Sequence, residues 1–235
     1  MRADPSPQRF ADRNDAGQRL AELLAQHPPP PDTVVLPLPR GGIPIGIAIA
    51  QRFGLALEPL LVRKLGVPDY PEFAMGALAT GGVCLLDQTV VQALHLSDDA
   101  VKRVIEAEQQ VLAEREQRYG ASVPLAQLKG RAVILCDDGM ATGRSMQAAI
   151  AALRTFKVSA ITVAVPVLSS DALARITPLV QRVEYLLCPA SFDAVGQWYR
   201  SFPQLADHEV ISLLSQVQRM ATATSRRDKL SPSST

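Results

Sequence analysis

Two adjacent acids, Asp137 and Asp138, close a short apolar run, Val133-Ile134-Leu135-Cys136. A loop of small and hydroxyl residues follows: Gly139, Met140, Ala141, Thr142, Gly143, Arg144 and Ser145. Small residues let backbone N–H groups approach an anion, and Thr142 and Ser145 add hydroxyl donors. A helix predicted over residues 144–156 turns its positive dipole end toward the same point. That is the chemistry of a phosphate nest. Carboxylates beside a phosphate repel it unless they accept hydrogen bonds from ligand hydroxyls or share a divalent cation with it. A ribose 5-phosphate offers both kinds of group. No Gly-Lys-Ser/Thr follows the glycines, so an ATP loop of the Walker kind fits worse. A plain strand-to-helix turn with an Asp cap is the reading without chemistry.

A second constellation repeats the logic. Residues 33–39, TVVLPLP, read as a buried strand, Arg40-Gly41-Gly42 as a sharp turn, and residues 45–53 as a helix. Glycines again let N–H groups reach an anion, and Arg40 brings a planar fork of donors suited to a pyrophosphate. Residues 57–62 read as the next strand, ending in Arg63 and Lys64. Of the two cations, Lys64 is the preferred ligand group.

Residues 133–146 closely resemble the phosphoribosyl pyrophosphate (PRPP) motif of the type I phosphoribosyltransferases. The resemblance implies that Asp137 and Asp138 hold the ribose 2′- and 3′-hydroxyls, that residues 139–145 wrap the 5-phosphate, and that Arg40-Gly41-Gly42 is the pyrophosphate loop. It implies a basic residue near the pyrophosphate, here Lys64, and Mg²⁺ carried mainly by PRPP, with Asp137 and Asp138 as its protein ligands if any. It also implies a mobile flap over the site, a small hood formed by both chain ends and the flap, and a homodimer. The set Arg40-Gly41-Gly42, Arg63-Lys64-Leu65-Gly66, Asp137-Asp138 and the aromatic segment 189–202 looks most like a group of predicted phosphoribosyltransferases of unassigned substrate. The activity implied is Mg²⁺-dependent phosphoribosyl transfer from PRPP to a nitrogen nucleophile such as a nucleobase. Members acting on 6-oxopurines commonly carry an acid at the position of Ala141, and alanine cannot transfer a proton. Glu72 and Asp193 are the substitutes in view. The competing readings are a sensor of PRPP or a nucleotide with the same fold and, more weakly, a phosphatase using Asp137. The paired acids lack the Asp-x-Asp spacing of that phosphatase chemistry.

The elements that must position these residues alternate along the chain. Ala16, Leu20, Leu23 and Leu24 form one helical face before the break at His27 and four prolines. Arg13 precedes that face and reads as a solvated charge. Residues 66–72 lack periodicity and read as a loop, and residues 73–86 read as a hairpin around Thr80-Gly81-Gly82. Residues 97–118 read as a long helix capped by Ser97, its charged face solvated. Residues 160–165 and 183–188 read as strands, with a helix at 169–176 between them. The fold class is α/β: an open parallel sheet flanked by helices, with a small hood and a mobile flap. Phe192, Trp198, Tyr199 and Phe202 cluster in a chain poor in aromatics, and their rings could stack on a base or fill a core.

At 235 residues with a formal charge of +1, one domain with a sizeable core is expected, over residues 10–220. A disordered stretch at 1–9 and a loose tail at 221–235 flank it. The balanced charge gives no sign of a nucleic-acid or membrane surface, and no apolar run is long enough to span a bilayer. The expected compartment is the cytosol. Cys84, Cys136 and Cys188 lie in apolar runs and read as buried thiols, while His27, His95 and His208 read as surface residues.

Overall fold

The computed structural model describes residues 9–119 and 125–228, so the stretches 1–8 and 229–235 of the two expected disordered ends lie outside the described residues. Asp12 accepts hydrogen bonds from the backbone N–H groups of Asn14 and Asp15 and caps α1 (Arg13–Leu24). In chain order follow β1 (Val34–Pro37), α2 (Gly42–Phe53), β2 (Ala56–Leu57), β3 (Val62–Val67), β4 (Tyr70–Ala79) and β5 (Val83–Leu86). Then come α3 (Gln88–Ala93), α4 (Asp98–Tyr119), β6 (Ala132–Cys136), α5 (Arg144–Thr155), β7 (Ala160–Val167), α6 (Ser170–Ile176), β8 (Arg182–Leu187) and α7 (Asp207–Asp228).

Five strands form a parallel sheet in the order β2-β1-β6-β7-β8. Its residues alternate between two apolar layers, as the pleat requires. Val34, Leu36, Val133 and Leu135 pack with Met146, Ile150 and Leu153 of α5 and Ile176 of α6. Val35, Ile134 and Cys136 pack instead with Leu20 and Leu24 of α1 and Ile45 and Ile49 of α2. Neighbouring β1 and β6 run in register from Val34 opposite Val133 to Pro37 opposite Cys136. Their carboxyl ends are therefore level, and the two predicted ligand loops leave the sheet side by side.

The stretch read as a fifth parallel strand, residues 57–62, is not one. Only Ala56–Leu57 joins the parallel sheet, beside β1, and the chain then enters a separate antiparallel sheet, β3-β4-β5. The hairpin expected at residues 73–86 is present, with Ala79 opposite Val83. The loop expected at 66–72 is instead the turn between β3 and β4, tightened by Asp69 at φ 66° and preceded by register shifts around Gly66. Such irregularities erase the two-residue period that a sequence reading relies on. This sheet buries Leu65, Met75 and Leu78 against Val101 and Leu112 of α4 and Val210 and Leu214 of α7. α7 runs to Asp228, into the stretch expected as a loose tail from residue 221. Of the three cysteines only Cys136 is buried, while Cys84 and Cys188 are exposed. Among the described residues no helix is long and apolar enough to cross a membrane.

Candidate functional site

The loop after β1 and the loop after β6 are pressed together. A Cβ built on Gly41 would collide with the Asp138 carboxylate, and one on Gly42 would lie 2.7 Å from the Cys136 carbonyl oxygen. Glycine at both positions is what allows the loops to meet. The Pro39–Arg40 peptide between them and β1 is cis. Gly143 adopts φ 70° and starts α5, leaving the first-turn N–H groups of that helix without intrahelical partners. Ala141, Thr142, Arg144 and Ser145 are exposed around this turn, whereas Gly143 is buried.

Met140 departs from the expected phosphate contact. Its N–H donates to the Val167 carbonyl, its carbonyl accepts from Ser169 N–H, and its side chain is buried. Met140 thus anchors the loop to β7. Ser169 also donates from its hydroxyl to the Ala141 carbonyl at 2.6 Å.

The two acids occupy unlike surroundings. Arg13 Nε donates to Asp138 at 2.7 Å, and the two side chains are only 10% and 13% exposed. Arg13 also donates to the Pro203 carbonyl at 2.8 Å and lies 3.8 Å above the Phe202 ring. This corrects its reading as a solvated charge. Burial raises the Asp138 pKa, and Arg13 opposes that rise. Among the described residues Asp137 has no such cation in contact. Burial first, then the neighbouring Asp138 charge, raise its pKa well above the ordinary carboxylate value. One Asp137 oxygen accepts the Asp138 backbone N–H at 2.9 Å.

A polar cavity of about 100 Å³ adjoins the loops, lined by Asp137, Ser145, Leu38, Pro39, Arg63 and Arg115 among others. Arg63 and Lys64, the two cations weighed for the site, face different cavities. Neighbouring residues of a strand point to opposite faces, and Arg63 lines this cavity while Lys64 lines a different one. That second cavity, about 610 Å³, lies between the antiparallel sheet and α5 and also contains Phe73, Arg144, Ser145 and Arg175. Both cations lie within β3 rather than at the carboxyl end of a parallel strand.

The helix face read as solvated is also corrected. Glu108 pairs with Arg63 at 2.6 Å, Glu116 accepts the Gly81 N–H at 3.0 Å, and Arg118 pairs with Asp207 at the start of α7. Asp207 further accepts from the Tyr119 hydroxyl at 2.6 Å and lies 3.6 Å from Arg40. The hydrogen bonds from Tyr119 and Arg118 hold the Asp207 pKa below the ordinary carboxylate value.

The aromatic segment divides. Tyr199 is 4% exposed, packs between Phe10 and Phe202, and donates from its hydroxyl to the Asp138 carbonyl at 2.6 Å. Its ring serves packing, and the base-stacking expectation for it is withdrawn. Phe192 and Trp198 are partly buried and stack with centroids 6.4 Å apart. Phe10 N–H donates to the Trp198 carbonyl, so the amino-terminal segment is bound to this one. The most exposed large apolar rings are elsewhere, Tyr70 at 73% and Phe73 at 58%, both on β4.

A sequence profile of the phosphoribosyl transferase domain matches residues 11–184. The chain belongs to the phosphoribosyl transferase family. Phosphoribosyl transferase Rv0571c of Mycobacterium tuberculosis H37Rv, so named provisionally, is 42% identical over 213 residues, covering 89% of this chain and 47% of that protein. The chain spans about half the length of the curated relatives it matches. The crystal structure of TT1426 from Thermus thermophilus is 39% identical, with a TM-score of 0.79 over 88% of this chain and 98% of that one. The parallel sheet with helices on both faces is the fold of the type I phosphoribosyltransferases.

Arg13, Arg115 and Asp207 joined the site's surroundings without a sequence signal read as such. For Arg115 a signal existed: it lies three residues after Leu112 and four before Tyr119, on one helical face with two buried side chains.

Proposed function

We propose that the chain catalyses Mg²⁺-dependent transfer of a 5-phosphoribosyl group from PRPP to a nitrogen nucleophile, a nucleobase, with release of pyrophosphate. The observation that carries this reading is the close approach of Gly41 to the Asp138 carboxylate, which brings two glycine turns and two acids to one sheet edge. A sugar phosphate with a diphosphate at its other end spans that arrangement.

In the reaction the bond from the anomeric carbon to the pyrophosphate oxygen breaks, the leaving oxygen keeps the electron pair, and the nucleophile nitrogen forms the new bond and gives up its proton to solvent. The 5-phosphate is bound by the exposed donors of residues 141–145. Asp137 and Asp138 accept from ribose hydroxyls and lie near the positive charge developing on the sugar. Arg40 turns from its long 3.6 Å contact with Asp207 to the diphosphate. Among the described residues no three His, Cys, Asp or Glu side chains converge to cage a metal. That donor set suits Mg²⁺, which binds through one or two carboxylates and substrate phosphates. Asp137 is the carboxylate that would hold it, because Asp138 is committed to Arg13. When bound, Mg²⁺ supplies charge neutralisation to the leaving diphosphate.

The antiparallel hairpins form the flap, and the exposed Tyr70 and Phe73 join Phe192 and Trp198 as candidates to flank the base. Asp193 is exposed, and the Glu72 side chain lies outside the described residues. A cytosolic homodimer is the working form in this reading. A second reading, a PRPP or nucleotide sensor, is favoured by the ion pairs that already engage Asp138 and Arg40.

The two separate in one assay. Pyrophosphate release from PRPP and Mg²⁺ with pooled bases is expected to require a base and to fall at least about a hundredfold in the Asp137→Asn/Asp138→Asn double variant. Base-independent or unchanged release would overturn the transferase reading.

A further inference from the structure

Two arginines, Arg63 and Arg115, line the small cavity, while Arg40 follows the lining residue Pro39 in the chain and Arg118 lies on the helix that carries Arg115. Arg63 is held by Glu108, and Arg40 and Arg118 share Asp207. Arg115 lines the same cavity as Asp137 and Ser145, yet among the described residues it has no carboxylate within ion-pair distance. Its placement follows from α4 packing. Leu112 and Tyr119, 4% and 6% exposed, are buried with Leu61, Leu65 and Leu78 of the antiparallel sheet region. That contact fixes the rotation of the helix and presents Arg115, exposed, at the cavity.

Arg115 therefore brings to the cavity, alongside Asp137, a guanidinium that among the described residues makes no ion pair. A fork of guanidinium donors suits phosphate oxygens. We propose that Arg115 is a diphosphate-contacting residue, so that helix α4 supplies a third wall to the site besides the loops after β1 and β6. The inference rests on the PRPP reading above and adds to it a residue outside both loops.

The test uses the full chain with Arg115→Ala, Arg115→Lys and, as a control on the same helix, the exposed Arg103→Ala. Calorimetry measures the dissociation constants of two probes, Mg²⁺-pyrophosphate and ribose 5-phosphate, and steady-state assays give KM for PRPP and kcat. Arg115→Ala is expected to weaken pyrophosphate at least about tenfold, as loss of a charged hydrogen bond does. Ribose 5-phosphate, which lacks the diphosphate, keeps its affinity; Arg115→Lys falls between, and Arg103→Ala matches the wild type. If pyrophosphate binds the wild type and Arg115→Ala equally, or if both probes weaken together, the inference is overturned while the PRPP reading stands. A folded wild type that binds neither probe overturns the PRPP reading itself.

Discussion

Arg13 and Asp138 are separated by 125 positions in the chain and by 2.7 Å in space. Removing the cation would leave a buried carboxylate unpaired, which is costly because the low-dielectric surroundings replace none of its lost solvation. Arg13→Ala is expected to destabilise the fold by about 3 kcal/mol, read as a lower urea midpoint at unchanged slope. Arg13→Lys, which keeps the charge and loses the fork shared with the Pro203 carbonyl, is expected to recover part of the loss. The sequence could not reveal this pair, because nothing local marks a charge for burial: Arg13 stands beside ordinary polar helix residues. The acids themselves were legible, since Asp137 and Asp138 sit where an apolar run meets a small-residue loop. Their different environments were not, because these depend on α1 and on the segment around Tyr199, each remote in sequence.

At the level of elements, the parallel strands were readable as apolar runs. β3 and β4 were obscured by the prolines and Gly66 that make their pairing irregular. What α4 does was hidden for another reason: its charged face meets partners rather than water. Tyr119 and Asp207 join α4 to α7, and their titration sets a pH window for that joint. Asp207 has a lowered pKa in the folded chain, so its contribution is present above the ordinary carboxylate value and is lost as pH falls through the folded value. Tyr119 is raised from 10.0 to about 12, by burial first and then by the hydrogen bond to Asp207. The folded state keeps that proton longer than the unfolded state, so stability is full below pH 10.0 and declines toward about 12. Amide exchange of residues 207–217 is expected to quicken at both ends of the range. In Asp207→Asn the acidic limb is expected to vanish.

For the molecule as a whole, alternating strands and helices identified an α/β fold, and the glycine turns marked one sheet edge as the candidate site. The third apolar cluster was not legible, because it joins residues 61–78, 101–119 and 210–214 from three separate stretches. It makes α7 part of the folded body. Ending the chain before Asp207 would expose the surface now covered by Val210 and Leu214, which are 0% and 5% exposed. Full burial of two such side chains stabilises by about 4 kcal/mol, an upper value when the unfolded chain is compact. The truncated chain is expected to unfold at lower urea and to expose its antiparallel sheet to protease first.

The chain contains a single tryptophan. Trp198 stacks with Phe192, its indole N–H is buried with no acceptor among the described residues, and the next residue, Tyr199, is hydrogen-bonded to Asp138. Its ultraviolet emission therefore comes from one place, one residue away from a direct link to Asp138. The molecule carries its own optical reporter, and a ligand that reaches Asp138 is expected to change that emission, readable without attaching a dye.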